Sequence, residues 1–143
     1  MSSENEPELL ADQEFFFNNA PSGFHTQDEA GMVTAVNDRL LNWLGYSKQE
    51  MVGKCRYADL VTGRMRSVFE EHFENLKSTG APCSLDLELK TRSGTEIPVR
   101  LSGYSITKAD GGFSRACFVT ENLVEHRLQS EAALREGEAH LNV

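Results

Sequence analysis

A chain of 143 residues has the length of one domain with material left for flanking helices. Its 14 basic residues face 22 acidic ones, and the net charge of −8 argues against a nucleic-acid or anionic-membrane partner. Three cysteines without C-x-x-C spacing and an acidic start at Met1-Ser-Ser-Glu-Asn-Glu-Pro-Glu8 predict a reduced, cytoplasmic protein without a signal peptide. No apolar run approaches the roughly 20 residues of a membrane span.

Residues 8–19 read as a helix opened by Pro7, with Leu9, Leu10, Phe15, Phe16 and Phe17 as its apolar side chains. Three adjacent phenylalanines cannot all face one core, so some cover the domain or a partner copy. Gly23 to Gln27 and Met32 to Val36 read as two strands around the turn Asp28-Glu-Ala-Gly31. Asn37 then caps a short helix carrying Leu40, Leu41 and Leu44, which Gly45 ends. Ser47 and Glu50 form a capping box that opens another helical turn, and Arg56 to Val61 supplies one more. From Gly63 to Ser78, Met65, Val68, Phe69, His72, Phe73 and Leu76 recur on a helical period as one stripe.

Three strand-like runs follow. Cys83 to Leu89 alternates strictly, with Leu85, Leu87 and Leu89 on one face. Ile97 to Ile106 comes after a turn at Arg92 to Thr95, with Pro98 expected near its beginning or on an edge. Phe113 to Val119 follows a turn at Ala109 to Gly112. From Leu123 the pattern turns helical and polar, with Leu134 and Leu141 seven apart, and such a helix needs a neighbour. The sum is an α+β domain: five antiparallel strands with helices on one face, an N-terminal capping helix and a C-terminal linker helix. The boundaries fall at 1–19, 20–121 and 122–143.

Asn37-x-x-Leu40 followed by Gly45-Tyr-Ser-x-x-Glu50-x-x-Gly-Lys54 resembles the helical segment of PAS domains. Arg92-Ser-Gly-Thr-Glu-Ile-Pro-Val99 resembles the turn and strand of the family's C-terminal half. Ala20-Pro-x-Gly23, Asp28-x-x-Gly31 and Val36-Asn37 are similar to its opening, and Glu131 to Glu138 looks like its interdomain linker. The likeness spans residues 14–138. Leu60-Val-Thr62, Arg64 and Phe69-Glu-x-His-Phe73 look especially like PAS domains ahead of bacterial histidine kinases, diguanylate cyclases and phosphatases. Asn122-Leu-Val124 stands where many relatives carry Asp-Ile-Thr, and a neutral Asn122 cannot form the same ion pair.

The resemblance implies a non-catalytic sensor of a two-component or related signalling system. It would bind a small ligand or dimerise through its terminal helices, and relay through the last helix to an output domain (kinase, cyclase or phosphatase) or another PAS domain outside this sequence. The residues themselves name no cofactor. The alternative is a haem or flavin sensor, for which His72 on the long helix is the histidine candidate. The family's haem-ligand position falls nearer Phe69, and a structural hydrogen bond is the plainer role for His72. Gly53-Lys-Cys-Arg-Tyr57 looks faintly like the flavin-adduct motif of LOV domains, without the Asn and Gln that hold the flavin. Phe24, His25 and Thr26 on the first strand offer a polar handle for a small ligand, or His25 faces solvent by alternation. No Ser/His/Asp set, phosphate loop or metal motif is visible.

Overall fold

The computed structural model describes residues 6–141. The start from Met1 to Asn5 lies outside them, as does the side chain of Leu141, the spaced partner of Leu134. Helix α1 (Glu6–Asn19) precedes strands β1 (Gly23–Gln27) and β2 (Val33–Val36). Helices α2 (Asp38–Leu44) and α3 (Lys48–Met51), a 3-10 turn at Tyr57–Leu60 and α4 (Gly63–Thr79) follow. Strands β3 (Cys83–Lys90), β4 (Glu96–Thr107) and β5 (Phe113–Asn122) then form a meander that runs straight into helix α5 (Leu123–Leu141).

The sheet is antiparallel in the order β2-β1-β5-β4-β3. The inner positions of its strands form one core with Leu40, Leu44, Phe69, Phe73 and Leu76 from the helices laid over them. The residue-by-residue alternation of β1 turns Gly23, His25 and Gln27 inward and Phe24 and Thr26 outward. In register with it, His25 sits beside Phe118, and Gln27 beside Ala116. Pro98 lies one residue before the pairing of β4 with β5 begins at Val99, a place where the ladder on that side has ended.

The stripe of α4 is narrower in space than in sequence. Phe69, Phe73 and Leu76 are buried, whereas Val68 is 36% exposed and His72 lies on the flank. The three phenylalanines of α1 also part company. Phe17 stacks on Phe24 at 6.1 Å, while Phe15 and Phe16 are 63% and 71% exposed.

The capped turns after β2 hold the assembly together. Ser47 and Glu50 make both bonds of the capping box, and Gly45 ends α2 in the left-handed conformation at φ 82°. Asn37, fully buried, bonds in four directions. Its Oδ1 accepts from Leu40 N at 3.1 Å and Phe24 N at 2.9 Å. Its Nδ2 donates to the carbonyls of Phe17 at 2.8 Å and Ser22 at 3.0 Å. One side chain thus fixes α1, β1 and α2 together.

Candidate functional site

The interior beneath α4 is aromatic but not dry of polar groups. His25 is 1% exposed and lies nearly parallel to Tyr57 at 4.0 Å and to Phe118 at 4.9 Å, ring centre to ring centre. Phe69 and Phe73 pack on the same Phe118 ring. His25 Nε2 bonds to Gln27 Oε1 at 2.9 Å. With the amide oxygen accepting, that pairing assigns the proton to Nε2 and leaves Nδ1 as an acceptor.

Four buried polar atoms in this interior make no hydrogen bond of normal geometry: His25 Nδ1, Gln27 Nε2, Tyr57 OH and Thr120 Oγ1. The Tyr57 and Thr120 hydroxyls face each other in a loose hydrogen bond, so His25 Nδ1 and Gln27 Nε2 are the two of the four left without any protein partner. An unpaired buried polar atom costs about 1–3 kcal/mol, and an ordered water or a ligand group satisfies it where one binds. Burial lowers the His25 pKa to about 4, with the bond to Gln27 working against the fall. The imidazole is therefore neutral at pH 7. Burial likewise pushes the Tyr57 phenol well up, with Thr120 opposing.

From outside, a cleft of about 460 Å³ between α4 and the β1–β2 turn reaches this interior at Gln27, Phe69 and Phe73. A second cleft, about 210 Å³, lies where β5 passes into α5. There Asn122 Oδ1 accepts from Val124 N and Glu125 N, both at 3.1 Å, and so caps α5. Glu125 reaches back to α2, accepting from Trp43 Nε1 at 2.9 Å and standing 3.7 Å from Arg39. The acidic side chain at this junction is Glu125, one helical turn on from the neutral Asn122.

Of the residues singled out by sequence, His25 and Phe69 come together around Tyr57 and Phe118. Phe24 and Thr26 do not join them. Phe24 lies under Phe17, and Thr26 Oγ1 meets Thr34 Oγ1 at 2.6 Å on the opposite face of the sheet. His72 also stands apart, its Nδ1 bonded to the Val68 carbonyl at 2.9 Å and its ring in an open groove with Glu71, Glu74, Asn75 and Ser78. The Cys55 thiol rests against the Arg56 carbonyl at 3.5 Å, and burial and the Asp59 charge raise its pKa. Sequence reasoning misses Gln27, Tyr57 and Thr120. Gln27 was within reach, since it stands two residues along the strand from His25 and shares its face. Tyr57 comes from an irregular turn without periodicity and gives no such signal.

Among the described residues no helix is long and apolar enough to cross a membrane, and no group of three His, Cys, Asp or Glu could hold a metal. The 2-1-5-4-3 sheet, the short capped helices over one face and the strand that passes directly into a terminal helix define a sensory-module fold of the PAS class. The chain belongs to the PAS domain family, whose model matches residues 21–124. Its structure is similar to the PAS domain of an HTR-like protein from Haloarcula marismortui, with TM-score 0.72, 18% identity and coverage of 83% of this chain and 95% of that one. A domain of a sensory box sensor histidine kinase/response regulator from Geobacter sulfurreducens matches with TM-score 0.66, 20% identity and coverage of 85% and 100%. A LOV protein from Rhodobacter sphaeroides matches with TM-score 0.68, 14% identity and coverage of 90% and 74%. No curated protein matches the chain in sequence.

Proposed function

We propose that this chain is a non-catalytic sensory module that takes a small molecule into its polar interior and relays occupancy through α5 to an output domain. The observation that carries the reading is the buried polar cluster of His25, Gln27, Tyr57 and Thr120, in which His25 Nδ1 and Gln27 Nε2 have no protein partner. A few polar groups set in an aromatic interior are what orients a guest in a small-molecule site. The route outward is short. β1 pairs with β5 from Gly23–Thr120 to Gln27–Ala116, and β5 continues into α5. At its other end β1 touches the latch that Trp43 and Glu125 form between α2 and α5, because Trp43 crowds the open side of Gly23. A shift of β1 on binding would move both the start of α5 and the Trp43–Glu125 bond.

The division into a capping helix at 1–19, a core at 20–121 and a linker at 122–143 belongs to this reading, as does a cytoplasmic setting. Homodimerisation is part of it too: Leu9, Leu10, Phe15 and Phe16 on α1, and Val124, Leu128 and Leu134 on α5, are exposed apolar side chains on the two terminal helices. A histidine kinase, cyclase or phosphatase is the expected class of output. Haem is disfavoured because Phe69, at the ligand position, offers iron no donor, and His72 points away from the interior. Flavin-adduct chemistry is disfavoured because the Asn and Gln that would hold the flavin are absent around Cys55.

Glu125→Ala tests the relay. Global stability should fall by only about 0.5–1.5 kcal/mol, since Glu125 and its partner Arg39 are both partly open to solvent. Amide exchange over residues 123–134 should rise several-fold while the amides of β4 stay protected. Unchanged exchange in α5 would show that the latch does not set the pose of the helix.

A further inference from the structure

The cleft beside α4 has a chemistry more definite than polarity. Gln27 is fully buried, lines the cleft and has its Oε1 taken by His25, so its Nε2 is left without a hydrogen-bond partner. Arg56, on the cleft wall, is exposed and forms no ion pair or side-chain hydrogen bond among the described residues. The two meet at Gly31. A methyl group built on that glycine would lie 3.9 Å from Arg56 Nε, 3.9 Å from Gln27 Nε2 and 3.8 Å from Phe73 Cε2. With φ at +87° the position is suited to glycine. A guanidinium and an amide, neither with a side-chain partner for its free donors, thus flank the same backbone position of the cleft wall beside the Phe73 ring.

We propose that this cleft binds a small monocarboxylate with a compact aromatic or apolar body, its carboxylate held between Arg56 and Gln27 and its body against Phe69 and Phe73. This rests on reading the interior as a binding site and adds the class of ligand. A guanidinium is the side chain best matched to a carboxylate. The charge of the guest is limited by the rim. Glu29, Glu70 and Glu74 stand there against Arg56 and Lys77, and Lys77 is engaged by Glu74 at 2.7 Å and by the Glu29 carbonyl at 3.0 Å. Arg56, the unengaged cation of the described rim, suits a single negative charge among these acids, and they repel a phosphate or dicarboxylate. A cleft of about 460 Å³ takes a single-ring acid with room for water.

Isothermal titration of the full chain with phenylacetate, phenylacetamide and inorganic phosphate tests the proposal, together with the variants Arg56→Gln and Gln27→Leu. Phenylacetate should bind, phenylacetamide and phosphate should bind at least about tenfold more weakly, and Arg56→Gln should weaken phenylacetate by about tenfold or more. Arg56 is exposed, so its variant should keep the fold, checked by circular dichroism; Gln27→Leu should also weaken binding where it folds. Equal affinity for the amide would overturn the carboxylate class while leaving a binding interior in place. Binding of phosphate in preference, an Arg56→Gln affinity equal to the parent's, or no binding of any of the three would each overturn the proposal. The relay reading is tested separately, by measurements on Glu125→Ala that involve no ligand.

Discussion

Asn37→Ala is expected to cost about 3–5 kcal/mol, a large share of the stability of a domain this size. The alanine removes the cap of α2, worth about 1 kcal/mol by itself. It also strands Phe24 N, Leu40 N and the carbonyls of Phe17 and Ser22, which the one side chain now satisfies. Asn37→Asp separates the two halves of that role. Its oxygens still accept from Phe24 N and Leu40 N, but nothing donates to the carbonyls that tie down α1. Urea unfolding should place the aspartate variant between the parent and the alanine variant. Proteolysis should show α1 released in both. A loss below about 1 kcal/mol for Asn37→Ala would mean that solvent satisfies these groups and that no hub exists.

The second large effect is a loss of stability in mild acid. The His25 pKa is near 4 in the fold and near 6.5 in the unfolded chain, so the unfolded state takes up the proton first. Stability is therefore fully present above pH 6.5 and falls progressively as pH drops towards 4. At about 1.4 kcal/mol per pH unit the loss across that window is roughly 3 kcal/mol. Carboxylates held low in the fold act further down. Backbone and side-chain bonds from Ser47 lower Glu50, and the Arg100 bond lowers Asp86, so their contributions fade below the ordinary carboxylate range. His25→Phe isolates the histidine: it should flatten the stability curve between pH 6.5 and 4 and leave the steeper decline below. A variant with the same slope as the parent would place His25 in contact with solvent.

Much of the fold was legible because its signals are local. The alternating leucines of β3, the run of caps from Asn37 to Glu50 and the breakpoints at Gly45 and Gly80 each dictate structure within a few residues. The site was legible only in part, because it depends on which face wins. Alternation along β1 offered either His25 or its neighbours to the interior, and only pairing with β5 decides for His25 and Gln27. The period of α4 admitted His72 to the stripe, but the sheet covers an arc wide enough only for Phe69, Phe73 and Leu76. Arg56 and Gly31 are joined by the short bridge between Met32 and Arg56, and Glu125 and Trp43 by a hydrogen bond across 82 positions. Neither closeness leaves a trace in sequence spacing.

The energetic coupling between Gln27 and Glu125 is the quantity on which the relay stands. It is read from a double-mutant cycle of Gln27→Leu and Glu125→Ala, with stabilities from urea unfolding of the four proteins. Two sites that share no contact ordinarily add to within about 0.3–0.5 kcal/mol. If the interior biases the pose of α5 through β1, β5 and Trp43, the cycle should give a coupling of about 1 kcal/mol or more. Additivity within about 0.3 kcal/mol would show that the interior and the terminal helix are independent, and the relay would be wrong.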